Sequence, residues 1–200
     1  MTLDKYGVGQ DPYCYPGSGA LKNHFDLRDE QDLSEVEHYL SNIAAQKLEF
    51  YEPPYGLDTL KQIHYRLFSD IYYWAGKIRT VKISKGTTQF CVPHRIEPEA
   101  DKEFKKMAAQ NWFQGHTRDM LVTEVAASYG TLNSIHPFRE GNGRTQRILF
   151  EWIIINAGYG INWWKVDRDA WIQANIHSIY GDDTQLIQVF DNCIGLPIFP

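Results

Sequence analysis

Positions 136–147 read His-Pro-Phe-Arg-Glu-Gly-Asn-Gly-Arg-Thr-Gln-Arg, and this stretch, the signature loop, indicates both the fold and the chemistry of the chain. It combines a histidine, whose pKa is ordinarily near neutrality, with a carboxylate that suits Mg²⁺, two glycines and two guanidinium groups. An apolar-rich run follows from Ile148 to Ile155 and ends before Gly158, a residue typical of helix C-termini. The sequence therefore predicts a glycine-rich loop that opens a helix, whose first N–H groups can bind an anion.

His136 and Glu140 are the first candidates for chemistry in the signature loop. Pro137 disfavours helical geometry at His136, which turns the imidazole out of the preceding helix. Its ordinary pKa near 6.5 suits a general base that takes a proton from a hydroxyl. Glu140 is expected to hold Mg²⁺, which uses one or two carboxylates with phosphate oxygens and water, and no second acid is nearby in the sequence. Zinc is excluded because the other histidines are scattered.

The rest of the signature loop is a candidate phosphate site. Gly141 and Gly143 let the backbone approach a pyrophosphate without an intervening Cβ, and the Asn142 amide can orient a phosphate oxygen. Arg144 and Arg147 fall three residues apart on the first turns of the predicted helix, and so on one face. Guanidinium groups bind phosphates bidentately, and cations at a helix N-terminus are unfavourable without an anion. The pattern therefore favours a phosphate ligand.

The signature loop resembles the signature of Fic-domain proteins, His-x-Phe-x-Asp/Glu-Gly-Asn-Gly-Arg-x-x-Arg, at all eight specified positions. Upstream, Tyr13–Asn23 is similar to the arm that precedes the first helix in small bacterial Fic proteins. The resemblance implies a mostly α fold, a single Fic-type helical bundle with one β-hairpin flap. It also implies a protein adenylyltransferase that moves AMP from ATP to a Tyr, Thr or Ser hydroxyl of a target protein, with Mg²⁺ as cofactor and His136 as the base.

The chain is expected to form a single Fic domain over residues 1–200, with an N-terminal arm at 4–24, a flap at 79–94 and the signature loop at 136–147. Apolar residues at helical spacing and the positions of Pro, Gly and capping residues predict seven helices. They run over about 27–48, from after Pro54 to before Gly76, over 98–109, from Thr117 into His136, over 143–157, from Asp167 onward, and over 186–194. Short β-prone runs at 80–84 and 89–92 predict the hairpin.

Two further sites are predicted with less specific patterns. Lys85 and Gly86, at the tip of the hairpin, are candidates for contacts with the nucleotide or the target, although an ordinary hairpin turn explains either residue as well. In Fic proteins the flap covers the nucleotide and pairs its edge with an extended piece of the target. Asn175 and Tyr180 are the candidates for the adenosine pocket by family position, although aromatic residues at helical spacing are more often core.

Composition excludes several classes of protein. The 200 residues carry 20 Lys and Arg against 25 Asp and Glu, a net charge of −5, with no basic block, so direct nucleic-acid binding is not expected. Three widely spaced cysteines indicate reduced thiols rather than a disulfide framework. The first residues lack the apolar core of a signal peptide, and no apolar run is long enough for a membrane span. A cytoplasmic protein is expected, unless a specialised machine exports it.

The resemblance also bears on regulation. Fic proteins are commonly held inactive by a Ser/Thr-x-x-x-Glu-Gly/Asn helix, whose glutamate pairs with the second arginine of the signature, here Arg147. In this chain only Glu140 is followed by Gly or Asn, and position 136 is His, so no inhibitory helix is encoded. The resemblance then implies a toxin restrained by a small antitoxin that carries this helix. Targets known in the family include type II topoisomerase subunits.

Three alternatives stay open at this point. The chain could belong to a secreted effector that modifies host proteins, with an export domain after Pro200. It could transfer another phosphate-containing group, such as UMP, phosphocholine or a γ-phosphate, although kinase-like relatives depart from the Gly-Asn-Gly-Arg core and this chain does not. It could also be a non-catalytic binding module, but the expected mark of one, loss of His136 or Glu140, is absent.

Overall fold

The structure is a computed structural model that describes residues 11–198, and helices dominate it, as predicted. The helices are α1 (Glu30–Gln46), α2 (Leu57–Phe68), α3 (Ile96–Ala109), α4 (Arg118–Ile135), α5 (Asn142–Asn156), α6 (Arg168–Ile179) and α7 (Thr184–Cys193). The strands are β1 (Ser84–Lys85), β2 (Thr88–Gln89), β3 (Tyr159–Ile161) and β4 (Ile194–Pro197), in the antiparallel pairs β1–β2 and β3–β4. No helix within 11–198 is long and apolar enough to cross a membrane.

Capping residues set the helix starts. Asp29 accepts hydrogen bonds from the N–H groups of Gln31 and Asp32, so α1 begins at Glu30 rather than at the predicted residue 27. Asp167 caps α6 through two such bonds, as the sequence predicts. Most observed ends differ from the predicted ones by a few residues, because periodicity locates a helix better than it locates its ends. Helix α2 is the exception, since it ends at Phe68, well before the predicted limit at Gly76.

Two compact units divide the described residues. The first comprises residues 11–49, 58–96 and 136–145, and so contains the arm, the flap and the front of the signature loop. Its interior is an aromatic cluster of rings stacked or tilted against one another, formed by His64, Phe68, Tyr72, Trp74 and Phe138. Phe138 of the signature loop is fully buried in this cluster.

The second unit comprises residues 50–57, 97–135 and 146–198. Helices α4, α6 and α7 pack together here around Tyr129 and Phe190, whose ring centroids lie 5.4 Å apart. The antiparallel pair β3–β4 belongs to this unit and was not predicted. A three-residue strand offers too few positions for an alternating pattern to be recognised, and its partner follows more than thirty residues later.

The predicted arm and flap keep their places with some changes. Residues 11–24 of the arm are irregular, with one β-bridge between Cys14 and Leu21, and residues 4–10 lie outside the described residues. The flap hairpin pairs Ser84 with Gln89 and Lys85 with Thr88, so its ladder is shorter than the β-prone runs of the sequence. A single domain over residues 1–200 stays a prediction.

Candidate active site

His136 occupies a strained turn directly after α4. Its φ is +48°, in the left-handed region that costs a non-glycine residue on the order of 1–3 kcal/mol, so its surroundings hold it there. The imidazole stacks on Phe90 of the flap, with ring centroids 3.9 Å apart and an interplanar angle of 19°. The main-chain carbonyl of His136 accepts a hydrogen bond of 2.7 Å from Nε of Arg79. As predicted, His136 lies outside the regular helix, and its imidazole lies against the flap.

His64 supports the middle of the signature loop from inside the first unit. The Gly76 N–H donates to His64 Nδ1 at 2.8 Å, which leaves Nε2 to donate to the Glu140 carbonyl at 3.0 Å. Burial lowers the pKa of His64 to about 4, so the ring is neutral, as this pair of bonds requires. Its ring also stacks on Phe138 at 3.9 Å. His64 therefore fixes the backbone that carries Glu140.

A buried ion pair connects the arm to the signature loop. Arg139 donates from Nε and Nη2 to the same carboxylate oxygen of Asp11, each at 2.6 Å. Both side chains are at most 2% exposed. The Cys14 thiol lies beside this pair, 3.7 Å from the Asp11 carboxylate. This ion pair therefore fixes the arm to the signature loop.

Gly141 and Asn142 are explained by contacts within the protein. Gly141 has a φ of +80°, and a Cβ there would lie 2.4 Å from the Phe68 ring, so no other residue fits. The Asn142 side chain is buried and bonds the main chain of Phe138 in both directions, accepting from its N–H and donating to its carbonyl, each at 2.8 Å. The Asn142 amide therefore braces the loop, and its predicted contact with a phosphate is left to its main-chain N–H.

Glu140 has a second carboxylate nearby, which corrects the interpretation of the sequence. Glu37 of α1 forms an ion pair with Nη2 of Arg144, and the same nitrogen lies 4.0 Å from Oε1 of Glu140. Tyr72 donates a hydrogen bond to Glu37. Burial and the neighbouring carboxylate raise the pKa of this tyrosine, so its hydroxyl stays protonated. The sequence did not reveal this neighbour because α1 lies about a hundred residues earlier.

Arg144 already has an anion within the chain. Besides Glu37, its Nη1 donates to Ser41 at 2.9 Å, and its guanidinium lies 4.7 Å from the centre of the Phe68 ring. The charge of Arg144 is therefore balanced by Glu37 and does not by itself require a phosphate. Its phosphate contact stays a prediction that rests on the resemblance.

The beginning of α5 presents main-chain N–H groups, as predicted for a loop that opens a helix. The first hydrogen bond of the helix runs from the Thr145 N–H to the Gly141 carbonyl, so the N–H groups of residues 142–144 precede the helical ladder. Gly143 is exposed, and a Cβ there would meet nothing within 4 Å. Arg147 follows one turn later, in the second unit, and forms no ion pair with any of the described residues.

The remaining predicted residues lie outside the signature loop. Lys85 and Gly86 are exposed at the tip of the flap, as predicted, and Gly86 has a φ of +59° with open space around it. Asn175 lies on α6 and donates to the Trp171 carbonyl at 2.8 Å. Tyr180, directly after α6, is 68% exposed. Their contacts with a nucleotide or a target stay predictions.

Sequence reasoning missed the side chains that hold the signature loop in place: Asp11, Glu37, His64 and Arg79. Each is a polar residue within an apolar pattern or an irregular segment, which signals a buried polar contact but does not name the partner. Among residues 11–198, no group of three or more His, Cys, Asp and Glu side chains is arranged to hold a metal ion. Because the neighbouring Glu37 is already paired with Arg144, Glu140 is the carboxylate that fits Mg²⁺ bound mainly through phosphate oxygens and water.

The chain is similar to known proteins in both sequence and structure. The model of the Fic/DOC family matches residues 54–154, half of the chain, which include the flap and the signature loop. The chain belongs to the Fic/DOC family. The "Probable protein adenylyltransferase Fic" of Escherichia coli K12 is 36% identical to it over 96% of each chain. "Protein adenylyltransferase VbhT" of Bartonella schoenbuchensis is 35% identical, and the match spans 90% of this chain but only 38% of that protein.

Solved structures agree with this assignment. The N-terminal Fic domain of a VirB-translocated effector from Bartonella quintana, solved with bound ADP, has a TM-score of 0.84 and 26% identity, with 92% of this chain and 94% of that chain covered. The Fic fold and the enzyme class that the resemblance implied, a protein adenylyltransferase, are confirmed.

Proposed function

We propose that this Fic enzyme transfers AMP from ATP to a Tyr, Thr or Ser hydroxyl of a target protein, with His136 as the general base. The hydroxyl oxygen attacks the α-phosphorus and forms the new O–P bond, while the bond to pyrophosphate breaks. His136 takes the hydroxyl proton. The observation that carries the proposal is the strained His136, held against the flap and followed within one loop by the open N-terminus of α5.

The phosphate side of the reaction is assigned to the second half of the signature loop. The main-chain N–H groups of residues 142–144 and the side chains of Arg144 and Arg147 would bind the phosphates and stabilise charge on the leaving pyrophosphate. Glu140 would hold Mg²⁺, which supplies positive charge to the phosphate oxygens when bound. The rate then depends on the orientation of the reactants and on electrostatic stabilisation, and the protein forms no covalent intermediate.

The position of a radiolabel tests the reaction type. With ATP labelled on the α-phosphate, label should become bound to protein, and with ATP labelled on the γ-phosphate it should not. Glu140→Ala or removal of Mg²⁺ should suppress the transfer. Protein-bound γ-label without α-label would replace this proposal with a kinase reaction, one of the alternatives left open by the sequence.

Gly143 and Gly141 form a matched pair for testing the phosphate site. Gly143→Ala meets no atom of the protein and improves helix propensity by up to about 1 kcal/mol, so stability should hold or rise. Its methyl group should nevertheless obstruct a phosphate and weaken ATP binding about tenfold or more. Gly141→Ala clashes with Phe68 and should lower stability. Normal ATP affinity in a folded Gly143→Ala protein would exclude the close approach of a phosphate at this residue.

Regulation by a partner is the second part of the proposal. We infer a toxin restrained by a small antitoxin, whose Ser/Thr-x-x-x-Glu-Gly/Asn helix supplies a glutamate to Arg147, since the chain itself does not contain this motif. The proposed target, a type II topoisomerase subunit, rests on the family resemblance alone. An effector exported into a host cell is the alternative, in keeping with the effector from Bartonella quintana.

Expression with and without the neighbouring gene tests the restraint. The chain alone should modify protein and slow growth, and co-expression with a small neighbour carrying the inhibitory motif should abolish both effects. A chain that is inert and harmless alone, with no modified protein detectable, would contradict the restrained toxin and favour the binding-module alternative.

A further inference from the structure

Arg79 connects the flap to His136 through three main-chain carbonyls. The residue is 1% exposed. Nε donates to the His136 carbonyl at 2.7 Å, Nη1 donates to the Val81 carbonyl at 2.7 Å, and Nη2 donates to the Cys91 carbonyl. Val81 precedes the first strand of the flap and Cys91 follows the second, so one planar group holds both legs of the hairpin and the residue proposed as base.

A second pair of contacts reinforces this connection. The main-chain N–H of Arg79 donates to the Pro137 carbonyl at 2.9 Å, so the backbone on both sides of the His136–Pro137 bond is held by one residue. Phe90, adjacent to Cys91 in the chain, stacks on the His136 imidazole. The flap therefore contacts His136 through both its backbone and its ring.

The conformation of His136 explains why such a connection is needed. A non-glycine residue with a φ of +48° relaxes out of the left-handed region unless its surroundings oppose that change. A guanidinium has five donors in a fixed plane and does not lose its charge, so it can hold several carbonyls in one arrangement at any physiological pH. A lysine ammonium at the same place cannot reach three separate carbonyls with this geometry.

We propose that Arg79 is a positioning residue for AMP transfer: it holds His136 in its left-handed conformation and keeps the flap in register with the imidazole. The proposal rests on the proposed role of His136 as the base. Because a target hydroxyl aligned by the flap must meet the base within hydrogen-bond reach, a shift of either leg of the hairpin moves both partners of the proton transfer apart.

A double-mutant comparison tests the proposal. Arg79→Lys should lower kcat for transfer tenfold or more while KM for ATP changes by less than about threefold, and the matched variant Arg28→Lys, at an arginine that is 68% exposed and outside the flap and the signature loop, should leave both unchanged. In the His136→Ala background, Arg79→Lys should change the residual rate by less than about twofold, because groups that act as a unit are not additive. Equal losses in both backgrounds would overturn the proposal in favour of general structural damage.

A measurement on the unmodified enzyme guards against variants that do not fold. The Arg79 Nε–H should exchange with water far more slowly than that of Arg28, whose side chain is 68% exposed. Equal exchange rates would overturn the contact with His136 directly. If His136→Ala keeps normal transfer, the proposed function fails and the inference with it. If His136→Ala abolishes transfer and Arg79→Lys keeps the normal kcat, the inference alone fails.

Discussion

The front of the signature loop, residues 136–145, and the tip of the flap both belong to the first unit, and they are built in opposite ways. Buried side chains hold the loop at each step: Arg79 bonds His136, Asp11 bonds Arg139 and His64 bonds the Glu140 carbonyl. The flap tip, residues 85–87, is exposed, and a Cβ at Gly86 in its centre would meet nothing within 4 Å. On the proposed function, this difference matches two tasks, fixed geometry at the reacting groups and an open edge where a target segment would pair.

Breaking the buried ion pair should have the largest effect. Asp11→Ala leaves the Arg139 guanidinium buried without its carboxylate, and we expect the free energy of unfolding to fall by about 3–5 kcal/mol. Chemical denaturation measures this loss. Arg28→Ala, which removes an exposed pair with Asp26, is the control and should cost no more than about 1 kcal/mol. Similar losses for the two variants would contradict a loop held by its buried contacts.

The pH dependence of stability sharpens the comparison. His64 is neutral in the folded protein with a pKa near 4, against an ordinary value of 6.5, so its contribution is fully present above pH 6.5 and is lost as the pH falls towards 4. The full loss is on the order of 3 kcal/mol, and about 2 kcal/mol of it should fall between pH 7.5 and pH 5.

Urea unfolding of the wild type and of His64→Gln at these two pH values isolates this contribution. The variant should be less stable at pH 7.5 but should lose about 2 kcal/mol less than the wild type on acidification. His94 is exposed, so His94→Gln serves as the control, and its stability should depend on pH as that of the wild type does. The same acid sensitivity in His64→Gln and the wild type would show that the buried imidazole does not support the loop as described.

The flap tip should show the smallest effect on stability. Lys85→Ala removes an exposed side chain that belongs to no packed cluster, so the free energy of unfolding should stay within about 0.5 kcal/mol of the wild type. On the proposed function, the same change should alter KM for the target protein or for ATP more than it alters stability. A loss of several kcal/mol would mean that the tip is as constrained as the loop.

Local patterns predicted much of the fold and the loop. Capping at Asp167 and the hairpin around Gly86 both follow from neighbours within a few residues, and the structure confirms them. The supports of the loop could not be predicted in this way. Arg79 lies 57 residues from His136, His64 lies 76 from Glu140, and Glu37 lies 107 from Arg144. Only the folded chain brings such partners together.

Gly141 and Arg144 show the same limit of prediction from local sequence. The sequence explained Gly141 by the approach of a phosphate, whereas the Phe68 ring alone excludes any side chain there. The sequence also predicted a phosphate beside Arg144, because a cation at a helix N-terminus needs an anion, whereas Glu37 of α1 is an anion that the chain itself supplies. Gly143 and Arg147 are the two positions where no contact within the described residues replaces the ligand-based explanation.

The most direct test of the central claim is His136→Ala, measured for AMP transfer and for ATP binding in the same preparation. Transfer of α-label to the target should fall about 10²–10⁴-fold, the usual contribution of a general base, while ATP affinity should change by less than about threefold. The proton transfer is then lost and the phosphate site at the start of α5 remains. Near-normal transfer by the variant, or a loss of ATP binding as large as the loss of transfer, would contradict the account.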